Sequence, residues 1–304
     1  MKRKILAIGE IIWDVYSDKK AIGGAALNFV AHAAICGATG ALISAVGNDD
    51  LASDALKAVE EFYVDTRYIK KTDLPTGQCL VTLDERSVPC YNVLEDVAYD
   101  NIVLDQEELD GINSEKYDAL YFGTLIQRNA VSRAAVSAVL ENCKFENIIC
   151  DVNLRPNCYD NDSVERCLTH ATILKISIEE EPALRATGLY APDGNELVAI
   201  AKAICQKFKQ IKILIITLGK DGSYLYSAEN DKEYRQASIG DKVVSTVGAG
   251  DSFAASWLTM YLNGNTIEDC LKTASEVSGF VVANLGAVPK YSIQNGKLHS
   301  ETSV

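Results

Sequence analysis

The stretch Ser245-Thr246-Val247-Gly248-Ala249-Gly250-Asp251-Ser252-Phe253 holds the densest chemistry of the chain. A β-branched pair, Val243-Val244, leads into a glycine turn. Ala254, Leu258 and Leu262 then follow at helical spacing, flanked by Phe253, Trp257 and Tyr261. Strand, glycine turn and helix in that order leave free backbone N–H groups at a helix N-terminus. Such a corner binds phosphate oxygens and stabilises charge that develops on them. Asp251 stands where the turn becomes helix, and its type allows two readings. It is an ordinary helix N-cap, or it is a base that takes a proton from a hydroxyl attacking a phosphoryl group. The chain lacks G-x-x-x-x-G-K-[ST], which excludes a P-loop, and Phe253 replaces the third glycine that a dinucleotide fingerprint needs.

Four further clusters share a pattern. Gly9, Glu10 and Asp14 follow the apolar run Ile5 to Ile8, and Gly23-Gly24-Ala25-Ala26-Leu27-Asn28 then opens a helix. Asp14 offers an acceptor and Asn28 a mixed donor and acceptor, a set that suits a polyol, although each type is also common in turns. Asp151-Val152-Asn153-Leu154-Arg155-Pro156 follows a second apolar run. Lys175, Ser177, Glu179 and Glu180 follow a third, and their carboxylates could hold a hydrated Mg²⁺, which takes few direct protein ligands. Thr217-Leu218-Gly219-Lys220-Asp221-Gly222 follows a fourth. Polar or glycine-rich clusters after successive strands converge when the strands are parallel, because the strand ends then share one edge.

The elements that must position them are legible as an alternation. Ile5 to Ile8, Ala119 to Phe122, Ile148 to Val152, Ile173 to Ile176 and Ile213 to Thr217 are short, largely apolar runs, suited to strands buried on both faces. Between them lie helix signals: Ala25 to Cys36 closed by Gly37, and Asp193 with Glu196 as a capping-box start to Leu197, Ile200, Ala201, Ile204 and Phe208. Alternating β and α predicts a mostly parallel sheet with helices on both sides. From Thr76 to Tyr99 the period changes to two, with Cys79, Val81 and Leu83 on one face, a polar turn at Asp84 to Ser87, then Tyr91 and Val93. That is a hairpin, either a surface excursion or a lid over a site.

Bulk properties narrow the class. The 304 residues are 48% hydrophobic and 23% charged, ordinary globular values, and the formal net charge is -13. So acidic a chain is poorly suited to nucleic acid or an anionic membrane. No apolar run reaches the length of a membrane span, and the N-terminal run is broken at Gly9 and Glu10, unlike a signal peptide. The 9 cysteines are odd in number and contain no C-x-x-C, which predicts reduced thiols and a cytoplasmic protein.

Together these residues resemble the ribokinase-like, or PfkB, family of carbohydrate kinases, most closely its fructokinase-like members. Gly248-Ala249-Gly250-Asp251 is similar to the family's C-terminal signature, and Gly23-Gly24 to Asn28 to its N-terminal one. Gly9-Glu10 to Trp13-Asp14, Pro75-Thr76-Gly77, Glu95 to Asp100, Phe122-Gly123-Thr124, Asp151 to Pro156, Lys175 to Glu180 and Thr217-Leu218-Gly219 extend the likeness, in order, over nearly the whole chain. The resemblance implies a three-layer α/β/α domain over residues 1–304 with a mostly parallel central sheet, and a small β lid inserted from about 13–24 and 75–101. It implies transfer of the γ-phosphate of ATP to a small sugar, fructose or a related ketose, with Mg²⁺. Asp251 would be the base, and the amides of Gly248, Ala249 and Gly250 the anion hole. Asp14, Gly24, Asn28, Asn153 and Arg155 would hold the sugar. Lys175, Ser177, Thr217, Gly219 and Gly222, with Gly248 and Gly250, would line ATP. Glu180 would anchor Mg²⁺ through water. The lid's apolar face (Cys79, Val81, Leu83) would serve a homodimer.

The chain departs from the family pattern at two places. Ser245 replaces the usual Asp, which puts K⁺ activation in doubt, and Asn284-Leu285-Gly286-Ala287 lacks the usual Thr and Arg. Two other readings stay open. A kinase of an acidic sugar such as 2-keto-3-deoxygluconate would use Arg155, Arg128 or Arg86 for the carboxylate. A non-catalytic sugar-binding regulator would keep the fold without the reaction.

Overall fold

The computed structural model describes residues 2–83, 89–240, 242–294 and 297–300. Each apolar run becomes a strand within one residue of its expected bounds: Lys4–Ile8, Ala119–Gly123, Asn147–Asp151, Ile173–Ser177 and Ile213–Thr217. Alternate side chains of each strand enter different cores. Leu6 and Ile8 lie in one apolar cluster with Cys150, Leu174 and Leu214. Ile5 and Ala7 lie in the other with Ile149, Ile173, Ile213 and Ile215. Both faces are therefore dry, and continuous hydrophobicity is the pattern such strands require.

These strands pair in parallel, and the large sheet runs in the order 232–236, 223–227, 213–217, 173–177, 147–151, 119–123, 4–8, 39–46 and 64–65, with 69–71 also on 39–46. The strands Ser223–Ser227 and Lys232–Gln236 close one edge in antiparallel fashion. Helices Ala25–Ile35, Asp50–Glu61, Ala249–Leu262 and Ile267–Val282 cover one face through Phe29, Val59, Trp257 and Leu271. Helices Gln106–Glu115, Ala130–Asn142, Asn161–His170 and Leu197–Lys207 cover the other through Ile112, Val136, Leu168 and Ile204. The result is a three-layer α/β/α architecture. None of the described helices is long and apolar enough to cross a membrane.

The period-two segment forms part of a second sheet, ordered Lys20–Gly23, Ile12–Val15, Gly77–Leu83, Pro89–Val93. Register places Asp14 beside Ala21 and Cys79, and Val81 beside Tyr91, all on one face. The expected turn at Asp84 to Ser87, with Arg86, lies outside the described residues.

Three local expectations are corrected. Val243 and Val244 form no strand: no neighbouring strand receives them, and the amides of Val244 and Ser245 both donate to the Val282 carbonyl. Asp193 does not start a capping box. Gly194, at φ 120°, turns the chain so that Glu196 becomes the N-cap, and its side chain makes no cap bond. Cys79 and Val81 do not present an outward apolar face for a second subunit. They share the face of Asp14 and are 4% and 8% exposed within this chain.

Candidate active site

The parallel strands ending at Ile8, Gly123, Asp151, Ser177 and Thr217 all point the same way, so the polar residues that follow them meet on one edge of the sheet. The helix Ala249–Leu262 brings its N-terminus to that edge. Gly248 is its N-cap and adopts a left-handed conformation at φ 79°, where a Cβ would collide with the Ala287 carbonyl; only glycine turns this corner. The Ala249 amide donates to the Thr246 carbonyl at 3.3 Å. The amides of Gly250 and Asp251 have no partner among the described residues and remain free for an anion.

Asp251 is three residues past the cap and caps nothing, which removes the plain N-cap reading. Its Oδ2 accepts a 2.8 Å hydrogen bond from Asn28 Nδ2, across 223 positions of sequence. Asp251 is half-buried and its carboxyl is crowded by protein. Lost hydration pushes its pKa up to about 7; Asp151 and Glu10 nearby raise it too, while the Asn28 hydrogen bond and Lys175 oppose the rise. A carboxylate poised near neutrality suits proton abstraction.

Asn28 is 4% exposed and its Oδ1 has no partner. Asn28 and Asp14 both flank Gly23: the point where a Gly23 Cβ would lie is 3.6 Å from Asp14 Oδ2 and 3.9 Å from Asn28 Nδ2. Burial lifts the Asp14 carboxyl to about 6, with Arg155 opposing. Arg155 is exposed, has no carboxylate within ion-pair distance among the described residues, and also opposes the rise that burial imposes on Glu10. Arg128, by contrast, is paired: its Nε and Nη2 bind both oxygens of Asp100 at 2.8 and 2.7 Å, and Nη2 also binds the Leu94 carbonyl, while its buried Nη1 has no partner among the described residues. Gly24 contributes conformation, and its neighbour Ala25 donates its amide to the buried Glu10 at 2.6 Å.

Beside Asp251 opens a cleft of about 1070 Å³, ample for a nucleotide. Asn153 and Arg155, expected at the sugar, line it together with Lys175, Ser177, Thr217, Gly219, Gly222 and Gly250, expected at the nucleotide; Ala249 lines it too, while Gly248 does not. Sequence reasoning missed its opposite wall, Ile239, Gly240, Val243, Ser275, Ser278, Gly279 and Val282. The small residues of Ile267–Val282 carried a faint signal there, since their side of the helix is neither apolar nor charged. Lys175 meets the cleft at its floor, buried beneath Gly250 and ion-paired to Asp151 at 2.7 Å. The segment 284–287 lies against the Gly248 turn, with the Ala287 carbonyl accepting from His32 Nε2 at 2.9 Å.

The model of the pfkB family carbohydrate kinases matches residues 3–293. This chain belongs to the pfkB family of carbohydrate kinases. Among curated relatives, an ATP-dependent 6-phosphofructokinase of Thermoanaerobacterium thermosaccharolyticum is 27% identical, over 94% of this chain and 90% of its own. Among solved structures, an uncharacterized sugar kinase from Pyrococcus horikoshii superposes with a TM-score of 0.76 at 26% identity, covering 93% of both chains. A fructokinase from Vibrio cholerae O395, in its fructose, ADP and calcium ion bound form, gives 0.78 over 94% of both chains; at 22% identity it speaks for the fold.

The donor set fits Mg²⁺ of one kind only. No group of three or more His, Cys, Asp or Glu among the described residues could form a direct metal cage. Glu180 uses its oxygens to accept the amides of Leu154 at 2.6 Å and Ser177 at 2.7 Å, which fixes both loops. Each oxygen keeps a second lone pair, so a hydrated ion held by substrate phosphates could still be met through water.

Proposed function

We propose that this pfkB kinase transfers the γ-phosphoryl group of ATP to a hydroxyl of a small sugar, fructose or a related ketose. One observation carries the reading. The carboxylate of Asp251 and the free amides of Gly250 and Asp251 sit together, between a nucleotide-sized cleft and the Asp14–Asn28 group. Asp14 and Asn28 hold sugar hydroxyls and present one of them to Asp251. As the hydroxyl oxygen forms its bond to the γ-phosphorus, its proton passes to Asp251. The bond from phosphorus to the β–γ bridging oxygen breaks, and ADP leaves with that electron pair. The free amides stabilise the charge on the phosphoryl oxygens. Thr217, Gly219 and Gly222 line the nucleotide. Glu180 would meet a hydrated Mg²⁺ through water, and that ion would neutralise phosphate charge. The second sheet acts as a lid that shuts out water and limits futile hydrolysis.

A second reading is favoured by Arg155, the guanidinium that faces Asp14 without an ion-pair partner among the described residues: an acceptor that carries a carboxylate or phosphate. ADP release measured across fructose, fructose 6-phosphate, ribose, 2-keto-3-deoxygluconate and adenosine separates the two. A neutral ketose as fastest acceptor supports the first reading, and an anionic acceptor supports the second. Sugar binding by calorimetry with no ADP released from any acceptor refutes both.

A further inference from the structure

We propose that Lys175 is a catalytic residue of this site, contacting the phosphoryl group in transit from beneath Gly250, and that Asp151 is the positioning residue that holds it there. The inference rests on the proposed phosphoryl transfer and deepens it.

The geometry is unusual for a structural pair. Lys175 is the one lysine that is buried among the described residues, at 4% exposure, and Asp151 is at 2%. They stand at opposite positions on adjacent parallel strands, in register, with Nζ and Oδ2 2.7 Å apart. The pair is incompletely satisfied. Asp151 Oδ1 is buried without a hydrogen-bond partner, and of the three N–H donors of Lys175 only one has a protein acceptor among the described residues. A buried ion pair contributes little net stability, since desolvation offsets the attraction, and a closed structural pair would have every lone pair and proton used. Open valences at the floor of a substrate cleft indicate that a ligand completes the set.

The direction of the ammonium identifies that ligand. Nζ lies 3.2 Å from the point where a Cβ on Gly250 would stand. Gly250 is one of the two residues whose amides are free at the helix N-terminus. Lys175 thus meets the anion corner from the sheet side while the amides meet it from the helix side. The absence of a side chain at 250 is what lets the ammonium approach. It stays charged in spite of burial, because Asp151, Glu180 and Asp251 surround it and raise its pKa. It therefore holds its proton through the reaction, and the proton of the acceptor hydroxyl still goes to Asp251. What Lys175 adds is two N–H donors and a fixed positive charge. Both gain strength as the equatorial oxygens of the transferring group spread in the transition state.

Ground-state and transition-state binding separate this role from a structural one. ADP affinity by calorimetry reports the first. ADP with aluminium fluoride, Mg²⁺ and the fastest acceptor reports the second, since the planar fluoride complex mimics the group in flight. For Lys175→Met the expectation is a kcat loss of about 10²–10³-fold, KM for ATP and affinity for ADP within a few-fold, and loss of the tightening that aluminium fluoride gives the wild type. Lys175→Arg keeps the charge and recovers part of kcat. The double variant Lys175→Met/Asp151→Asn leaves no charge buried alone, so it reports even if the single variant fails to fold. It is expected to match the single variant in kcat, because Asp151 acts only through Lys175. A folded Lys175→Met or double variant that keeps kcat within a few-fold, or keeps the aluminium fluoride tightening, overturns the proposal. Wild-type turnover abolished by Asp251→Asn but not by these variants refutes this inference alone. No turnover of wild type with any acceptor refutes the function beneath it.

Discussion

Replacing Asp251 with Asn should make the protein inactive and, at alkaline pH, more stable. The carboxyl is pushed from 3.8 to about 7 because ionising it in its crowded position forfeits hydration that Asn28 and Lys175 do not restore. Each pKa unit corresponds to about 1.36 kcal/mol. A rise of about three units places an upper bound near 4 kcal/mol on the cost of the charged form, and shared interactions with Asp151 and Glu10 reduce it, so about 2–4 kcal/mol is expected. The sign follows from proton uptake. The folded state binds the Asp251 proton more tightly than the unfolded chain does, so this group weakens the fold as pH rises from about 4 to about 7, with the full loss present above 7. Asn keeps an oxygen for the Asn28 hydrogen bond and never ionises. Urea unfolding of the two proteins should therefore coincide near pH 4 and diverge in favour of Asn at pH 8. The same group sets catalysis in the opposite sense: kcat/KM of the wild type should fall tenfold per pH unit below about 7 as the base becomes protonated. An Asn variant no more stable than wild type at pH 8, joined with a kcat/KM that stays flat down to pH 5, would refute the reasoning.

Three further outcomes are expected. Gly248→Ala forces a Cβ into the Ala287 carbonyl at a left-handed backbone and should cost roughly 1–3 kcal/mol in urea unfolding, with turnover falling as the anion corner shifts. Arg128→Ala leaves Asp100 buried without its bidentate partner and should destabilise by about 3–5 kcal/mol, and Asp100→Asn in the same chain should recover part of the loss. Ser245 donates no charge to a cation and its Oγ is engaged by the Val247 amide at 3.3 Å, so exchanging K⁺ for Na⁺ should leave ADP release unchanged; a several-fold activation by K⁺ would overturn this.

Much of the fold is legible because its signals are local and redundant. A run such as Ile213 to Ile216 is apolar at every position because both faces of its strand are covered, and no other short element needs that pattern. Where local signals mislead, tertiary contact outweighs them. Val243-Val244 has strand-forming side chains but no neighbouring strand, and a backbone without a ladder partner takes what acceptor is near, here the Val282 carbonyl. The face of Cys79 and Val81 reads as apolar either way; only the register with Asp14 shows that it turns inward.

The sequence by itself determined the strands, the helices and the glycine corner, because hydrophobic period and backbone freedom are properties of neighbours along the chain. It also determined that polar clusters follow the strands, and parallel pairing then obliges them to share an edge. Which of those polar residues touch is another matter. That Asn28 meets Asp251, that Arg128 pairs with Asp100 while Arg155 has no ion-pair partner among the described residues, and that Lys175 is buried under Gly250 against Asp151 depend on distances across the folded chain. Charge and hydrogen bonding act over a few ångströms of space with no regard for sequence separation, so the ionisation of Asp251 and the pairing of each cation were decided only when the tertiary structure set those distances.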